Sequence, residues 1–208
     1  DLAIIPYFKP QLPPGLNTLI ILDAAILRRE MLYAIDQFVM KGGSLIILID
    51  PYVRSNLASN QIKPTPSKQL NDITDLLQRY GLSYQGQQVV GDSSLGTVVA
   101  DRQQRSFTYP FWLRIRAEGF SADHPVTASL NEVFFVESGY FENTGQKRVI
   151  PLITTSASAG VLDSKLFSKH TPPDLTAQFF SNNGKKMVAG AIRGPFKSAF
   201  PKRPDDLP

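Results

Sequence analysis

Two aliphatic runs flanking one amphipathic stretch set the strongest constraint on how this chain folds. Leu19-Ile20-Ile21-Leu22 ends in Asp23, and Leu45-Ile46-Ile47-Leu48-Ile49 ends in Asp50-Pro51. Neither run alternates apolar with polar residues, which points to strands removed from water on both sides, as in a parallel sheet. Between them Leu27, Met31, Ile35, Phe38 and Val39 recur every three or four residues, while Arg28, Arg29, Glu30, Asp36 and Gln37 fill most other positions. That is the pattern of a helix with one buried stripe. Asp23 is placed to cap the helix at or near its start, and Gly42-Gly43 to end it. Leu16 to Tyr52 therefore reads as a right-handed βαβ crossover.

Such a unit binds nucleotide phosphates when a glycine-rich turn follows its first strand. Here Asp23-Ala24-Ala25 follows instead, Gly42-Gly43 closes a helix rather than opening one, and the chain has no Gly-x-x-x-x-Gly-Lys-Ser/Thr. The unit specifies architecture, not a phosphate site.

Beyond it, residues 52–66 are polar and proline-containing and read as a long surface loop. Leu70, Ile73, Leu76, Leu77 and Tyr80 predict a second helix over 66–80 with Gly81 past its end. Gln88-Val89-Val90 then leads to Gly91-Asp92, a third strand that terminates at an aspartate. From Thr97 the texture changes to short strands, predicted over 97–100, 107–115, 132–136, 149–154 and 186–193, and Asn182-Asn183-Gly184-Lys185 predicts a hairpin before the last of them. Residues 1–200 read as one α/β domain, with a βαβ core over 1–96 and a β-rich continuation over 97–200. Residues 201–208 read as a linker, and the chain as an excised domain whose targeting and anchoring segments lie elsewhere.

Composition narrows the chemistry. The 208 residues include no cysteine, which excludes a cysteine nucleophile, a disulfide framework and thiolate metal ligation. The formal charge of +4 comes from scattered basic residues, not from a basic helix or an aromatic-basic stripe, so no nucleic-acid partner is expected. No window reaches the roughly 18 apolar residues of a membrane span. There is no Gly-x-Ser-x-Gly, and Ser44 stands as a connector between the glycine pair and a strand.

Asp23, Asp50 and Asp92 are the candidate ligand-binding residues. All three are expected at the carboxyl ends of strands, where open α/β sheets bind their ligands. Each also suits a local role, Asp23 as a cap, Asp50 in the turn before Pro51, and Asp92 opening a loop with Ser93 and Ser94. His124 and His170 lie far apart in loop-like contexts, so no metal site and no cofactor are expected. The aromatic run Phe107, Tyr109, Phe111 and Trp112 reads as core or, because of Pro110, edge strand, with an exposed surface for a partner or glycan as the alternative. Arg102, Arg105, Arg114 and Arg116 around it read as a solvated face.

Several of these features occur together in one family. Leu12-Pro13 before the first strand, Ala34-Ile35-Asp36-Gln37-Phe38-Val39 into Gly42-Gly43, Leu48-Ile49-Asp50-Pro51, Val89-Val90-Gly91-Asp92 and Gly194-Pro195-Phe196-Lys197-Ser198-Ala199-Phe200 follow in order. This pattern resembles the auxiliary component of uncharacterised ABC-type transport systems, the family that includes the gliding-motility protein GldG. The resemblance implies a flavodoxin-like or class I glutamine-amidotransferase-like parallel core without catalytic residues. It also implies an extracytoplasmic, periplasmic address, membrane anchoring through segments outside this chain, and an ABC permease and ATPase as partners. The resulting expectation is a non-catalytic domain that binds a partner or ligand. The alternative is a hydrolase or transferase using the strand-end carboxylates.

Overall fold

The computed structural model describes residues 3–6, 11–22, 27–55, 63–66, 71–145, 148–182, 184–200 and 202. The organising unit is present. Strand β1 (Thr18–Leu22) and strand β2 (Ser44–Leu48) pair in parallel, Thr18 opposite Ser44 and Leu22 opposite Leu48, with helix α1 (Arg29–Met40) between them in sequence. The helix ends as its glycines require: Gly42 adopts φ +90°, and its N–H donates to the Val39 carbonyl at 3.0 Å. Its N-cap is Arg28, and Asp23, expected as a cap at or near this helix start, lies outside the described residues.

The parallel core stops there, and the flavodoxin-like expectation is wrong. Strands β3 (Tyr52–Ser55) and β4 (Lys63–Pro66) form an antiparallel pair inside the segment expected to be loop. Pro64 and Pro66 hide the pair in the sequence, yet a two-stranded ribbon tolerates residues that lack an N–H. Helix α2 (Asn71–Tyr80) ends at Gly81, φ +118°. It leads directly into strand β5 (Leu82–Tyr84), which joins an antiparallel sheet instead of returning to β1 and β2. Strand β6 (Gln88–Asp92), expected as the third parallel strand, pairs antiparallel with β12 (Ala159–Asp163).

The remaining strands are β7 (Gly96–Ala100), β8 (Ser106–Arg116), β9 (Glu132–Val136), β10 (Phe141–Asn143), β11 (Val149–Thr154) and β13 (Met187–Ile192). The five strands expected after Thr97 are therefore all present. They build two antiparallel sheets, β7-β8-β9 and β11-β13-β10-β5, so β1–β2 is the one parallel pair among the described residues. Asn183 of the expected Asn-Gly hairpin lies outside the described residues; among those described, β13 pairs with β10 and β11, and helix α3 (Pro172–Ala177), opened by a Thr171/Asp174 capping box, precedes it. Strand β8 is central rather than an edge. Pro110 fits because the register jumps from Thr97 opposite Tyr109 to Gly96 opposite Leu113, leaving residues 110–112 in a bulge.

The bulge also explains how one strand serves two cores. Tyr109 and Phe111 pack with Val89, Phe167 and Leu175, whereas Leu113 and Ile115 pack with Val90, Tyr140, Ile153 and Val188. Strand β6 lies between the same two cores, Val89 facing one and Val90 the other. Its two valines are satisfied by flanking cores, not by helices over a parallel sheet. A third core joins the inner face of β1–β2 to α1, α2 and Tyr84, with Phe141 and Ile192 of the antiparallel part packed against it.

Candidate functional site

The strand-end aspartates have separate fates. Asp92 is fully buried. Its Oδ1 accepts from the N–H groups of Ser94 (2.8 Å) and Leu95 (3.2 Å), and its Oδ2 from Ser156 (2.7 Å). It fixes the turn after β6 and ties it to the loop before β12, a structural task. Asp50 is exposed beyond the end of β2, in a different sheet. Near it, burial first and the Asp50 charge second raise the Tyr84 hydroxyl above the ordinary tyrosine range, and that hydroxyl donates to the Ile49 carbonyl at 3.3 Å. Asp23 lies outside the described residues. His124 is buried in a turn, its Nδ1 accepting from the Val126 N–H at 3.3 Å, and His170 is exposed. Among the described residues no group of three or more histidine, aspartate or glutamate side chains is arranged to hold a metal.

The carboxylate that does organise its surroundings is Asp36, which the helical pattern assigned to the polar face. It is fully buried. Oδ1 accepts from the Tyr80 hydroxyl and the Ala199 N–H, both at 2.9 Å, and Oδ2 from the Ser198 hydroxyl at 2.6 Å and Gln37 Nε2 at 3.0 Å. Four donors compensate the loss of water, as a buried carboxylate demands. Burial, the Asp36 hydrogen bond and the Asp36 charge, in that order, raise the Tyr80 hydroxyl above its usual range. Two ring contacts reinforce the bond set, Tyr80 with Phe196 at 5.0 Å and Tyr33 with Phe200 at 5.6 Å. The Arg148 guanidinium also holds the Pro195 carbonyl. Residues 194–200 are thus clasped onto α1 and α2. The signal was present in spacing: Asp36 lies four residues after Leu32 and three before Val39, both buried.

A second unforeseen carboxylate, Glu137, follows β9 with φ +51° and is buried. Its N–H donates to the Phe111 carbonyl at 2.8 Å, and it accepts from the Tyr109 hydroxyl at 2.9 Å. Burial raises its carboxyl to about 7. The sequence reading gave it no role.

Two clefts border the α1 layer. One, of about 640 Å³, opens at the amino ends of β1 and β2, opposite the end where the aspartates were expected to act, between the Leu12–Gly15 turn and the Phe38–Ser44 segment. The other, of about 290 Å³, lies between Arg29, Asp75, Arg79 and Phe200. The aromatic run of β8 is mainly core, and Arg114 and Arg116 both pair with Glu132, at 2.8 and 2.9 Å, on the exposed face.

The largest departure from expectation is on β1–β2 itself. Leu19 and Ile21 turn inward to the helices, but Ile20, Leu22, Ile46 and Leu48 keep 53%, 69%, 48% and 53% of their surface exposed. Helices α1 and α2 both lie on one side, and among the described residues no element packs over the second apolar face.

A family model described as an ABC-type uncharacterized transport system matches residues 3–208. The chain belongs to that family. It is thereby an auxiliary component of ABC-type transport systems. A search of curated proteins finds no match. The match spans both the α1 unit and the antiparallel part of this transport component, and it includes the two segments that meet at Asp36.

Proposed function

We propose that this chain is a non-catalytic, extracytoplasmic binding domain of its transport system, of the gliding-motility type, working beside the ABC permease and ATPase and membrane-anchored in the full-length protein. The observation that carries the reading is the bare aliphatic face of β1–β2. Unmet apolar surface of this kind is what a binding domain presents, and Asp50 stands exposed at its rim. The hydrolase or transferase alternative needs a carboxylate open to substrate. Asp92 spends its carboxylate on three backbone N–H groups. The family supports association with the transporter subunits, and the periplasmic address follows from the resemblance. Among the described residues no helix is long and apolar enough to cross a membrane.

The test is co-purification of the tagged full-length auxiliary protein with its permease and ATPase, together with the ATPase rate with and without it. A stable complex whose ATP turnover depends on the auxiliary protein is the expected result. Absence of any complex under conditions where permease and ATPase assemble would sink the proposal.

A further inference from the structure

We infer that the outward face of β1 and β2 is the docking site for one amphipathic α-helix of a transporter subunit. The inference rests on the binding-domain reading and names its surface and partner. The two faces of the pair are chemically alike, Leu19, Ile21, Leu45 and Ile47 on one side, Ile20, Leu22, Ile46 and Leu48 on the other. The inner face is already covered by the aliphatic stripe of α1, Met31, Leu32, Ile35 and Val39. Parallel strands with aliphatic residues on both sides belong in a layer covered by helices on both sides. The chemistry that closes one face suits the other.

Size selects the occupant. Five-residue strands at about 3.3 Å per residue make a face about 16 Å long, the length of a helix of about 11 residues at 1.5 Å per residue. A helix about 10 Å wide covers two strands about 4.8 Å apart. The four exposed side chains offer on the order of 400 Å² of apolar surface, about half of the roughly 800 Å² each partner contributes to a stable free-standing pair. A second copy of the chain is therefore poorly served by this patch, whereas one helical stripe within a larger assembly is well served. The negative charge of Asp50 beyond the carboxyl end of β2 favours the positive amino end of the incoming helix there, so the helix runs antiparallel to the strands.

None of the 208 residues is cysteine, and any cysteine outside them is first replaced by serine, so that single thiols can be mapped. Ile20→Cys, Leu22→Cys, Ile46→Cys and Leu48→Cys, with Val98→Cys on the exposed surface of β7 as control, are introduced into the full-length protein and labelled with a maleimide, free and assembled with permease and ATPase. Each variant is first matched to the parent by thermal melting. The expected result is that assembly slows all four face thiols at least about tenfold, leaves the control unchanged, and allows a bismaleimide to link Ile46→Cys to cysteines placed three, four and seven residues apart on one subunit helix. Unchanged labelling in an intact complex overturns this surface while leaving the binding-domain reading standing, and failure to form a complex removes both. Three further results also overturn the helix partner. These are protection that rises with concentration of the isolated protein (a second copy), protection at every concentration of that protein alone (its own chain), and protection by phosphatidylethanolamine–phosphatidylglycerol vesicles without subunits (lipid).

Discussion

Strand β6 lies between two cores, whereas β1 and β2 have a core on one side only. Val89 and Val90 are both fully buried, one against Tyr109 and Phe111, the other against Leu113 and Ile115. Ile20 and Ile46, neighbours in an equally aliphatic pair, remain about half exposed. The chain thus covers β6 on both sides from its own residues and leaves its parallel pair half covered, while Val98, Phe134 and Val136 of β7 and β9 also stay exposed. An apolar run that the fold does not bury is a statement about assembly, because such surface is stabilised only when something else covers it.

The sharpest way to break this comparison is to truncate one apolar side chain to alanine in each region. Phe111, in ring contact with Tyr109, Phe167 and Phe179, is expected to cost about 4 kcal/mol on Phe111→Ala, measured by urea unfolding. Ile46→Ala is expected to stay within about 0.5 kcal/mol of the parent, as for surface sites. Comparable losses would mean that the face of β1–β2 is not free in the isolated chain.

The next effect tests what fastens the N-terminal region. Asp36→Ala leaves the Tyr80 hydroxyl and the Ala199 N–H without their acceptor, an expected loss of about 3 kcal/mol. Tryptic cleavage at the exposed Lys197 should accelerate in the same variant. Unchanged cleavage would show that residues 194–200 are held by ring packing and the Arg148 bond to Pro195 without Asp36.

A comparable but pH-confined effect belongs to the antiparallel region. The Glu137 carboxyl is raised from 4.5 to about 7 by burial, so the folded state holds its proton more tightly than the unfolded one. Its contribution is fully present below pH about 4.5 and is lost as pH rises through about 7, on the order of 3 kcal/mol in all. Glu137→Gln should remove that slope from the difference between the two stability curves. A parent and variant that run parallel from pH 4 to pH 8 would contradict the assignment.

The α1 unit was legible because two runs and one stripe lie close in sequence, and Gly42 and Gly81 marked both helix ends. Five of the later strands were equally legible as segments, whereas β10 and β12 were not expected. Strand pairing was not legible, because adjacent aliphatic residues such as Val89-Val90 look the same whether helices cover a parallel sheet or two cores flank an antiparallel strand. Pro64, Pro66 and Pro110 misled in one direction, since a ribbon and a bulge both accommodate proline. The Asp36 clasp joins positions 162 and 163 residues apart, and no local pattern reports such a contact. The Asp92 role was legible from its Ser93-Ser94 neighbours, while its third donor, Ser156, was not.

The central claim, that the uncovered face of β1–β2 is where this transport component meets its partner, is tested most directly by Ile20→Arg combined with Ile46→Arg in the full-length protein. Yield of permease and ATPase in the purified complex is the readout. The expected result is at least about a tenfold loss of both subunits, with the melting temperature within about 2 °C of the parent. Full recovery of both subunits by this doubly charged face would contradict the account.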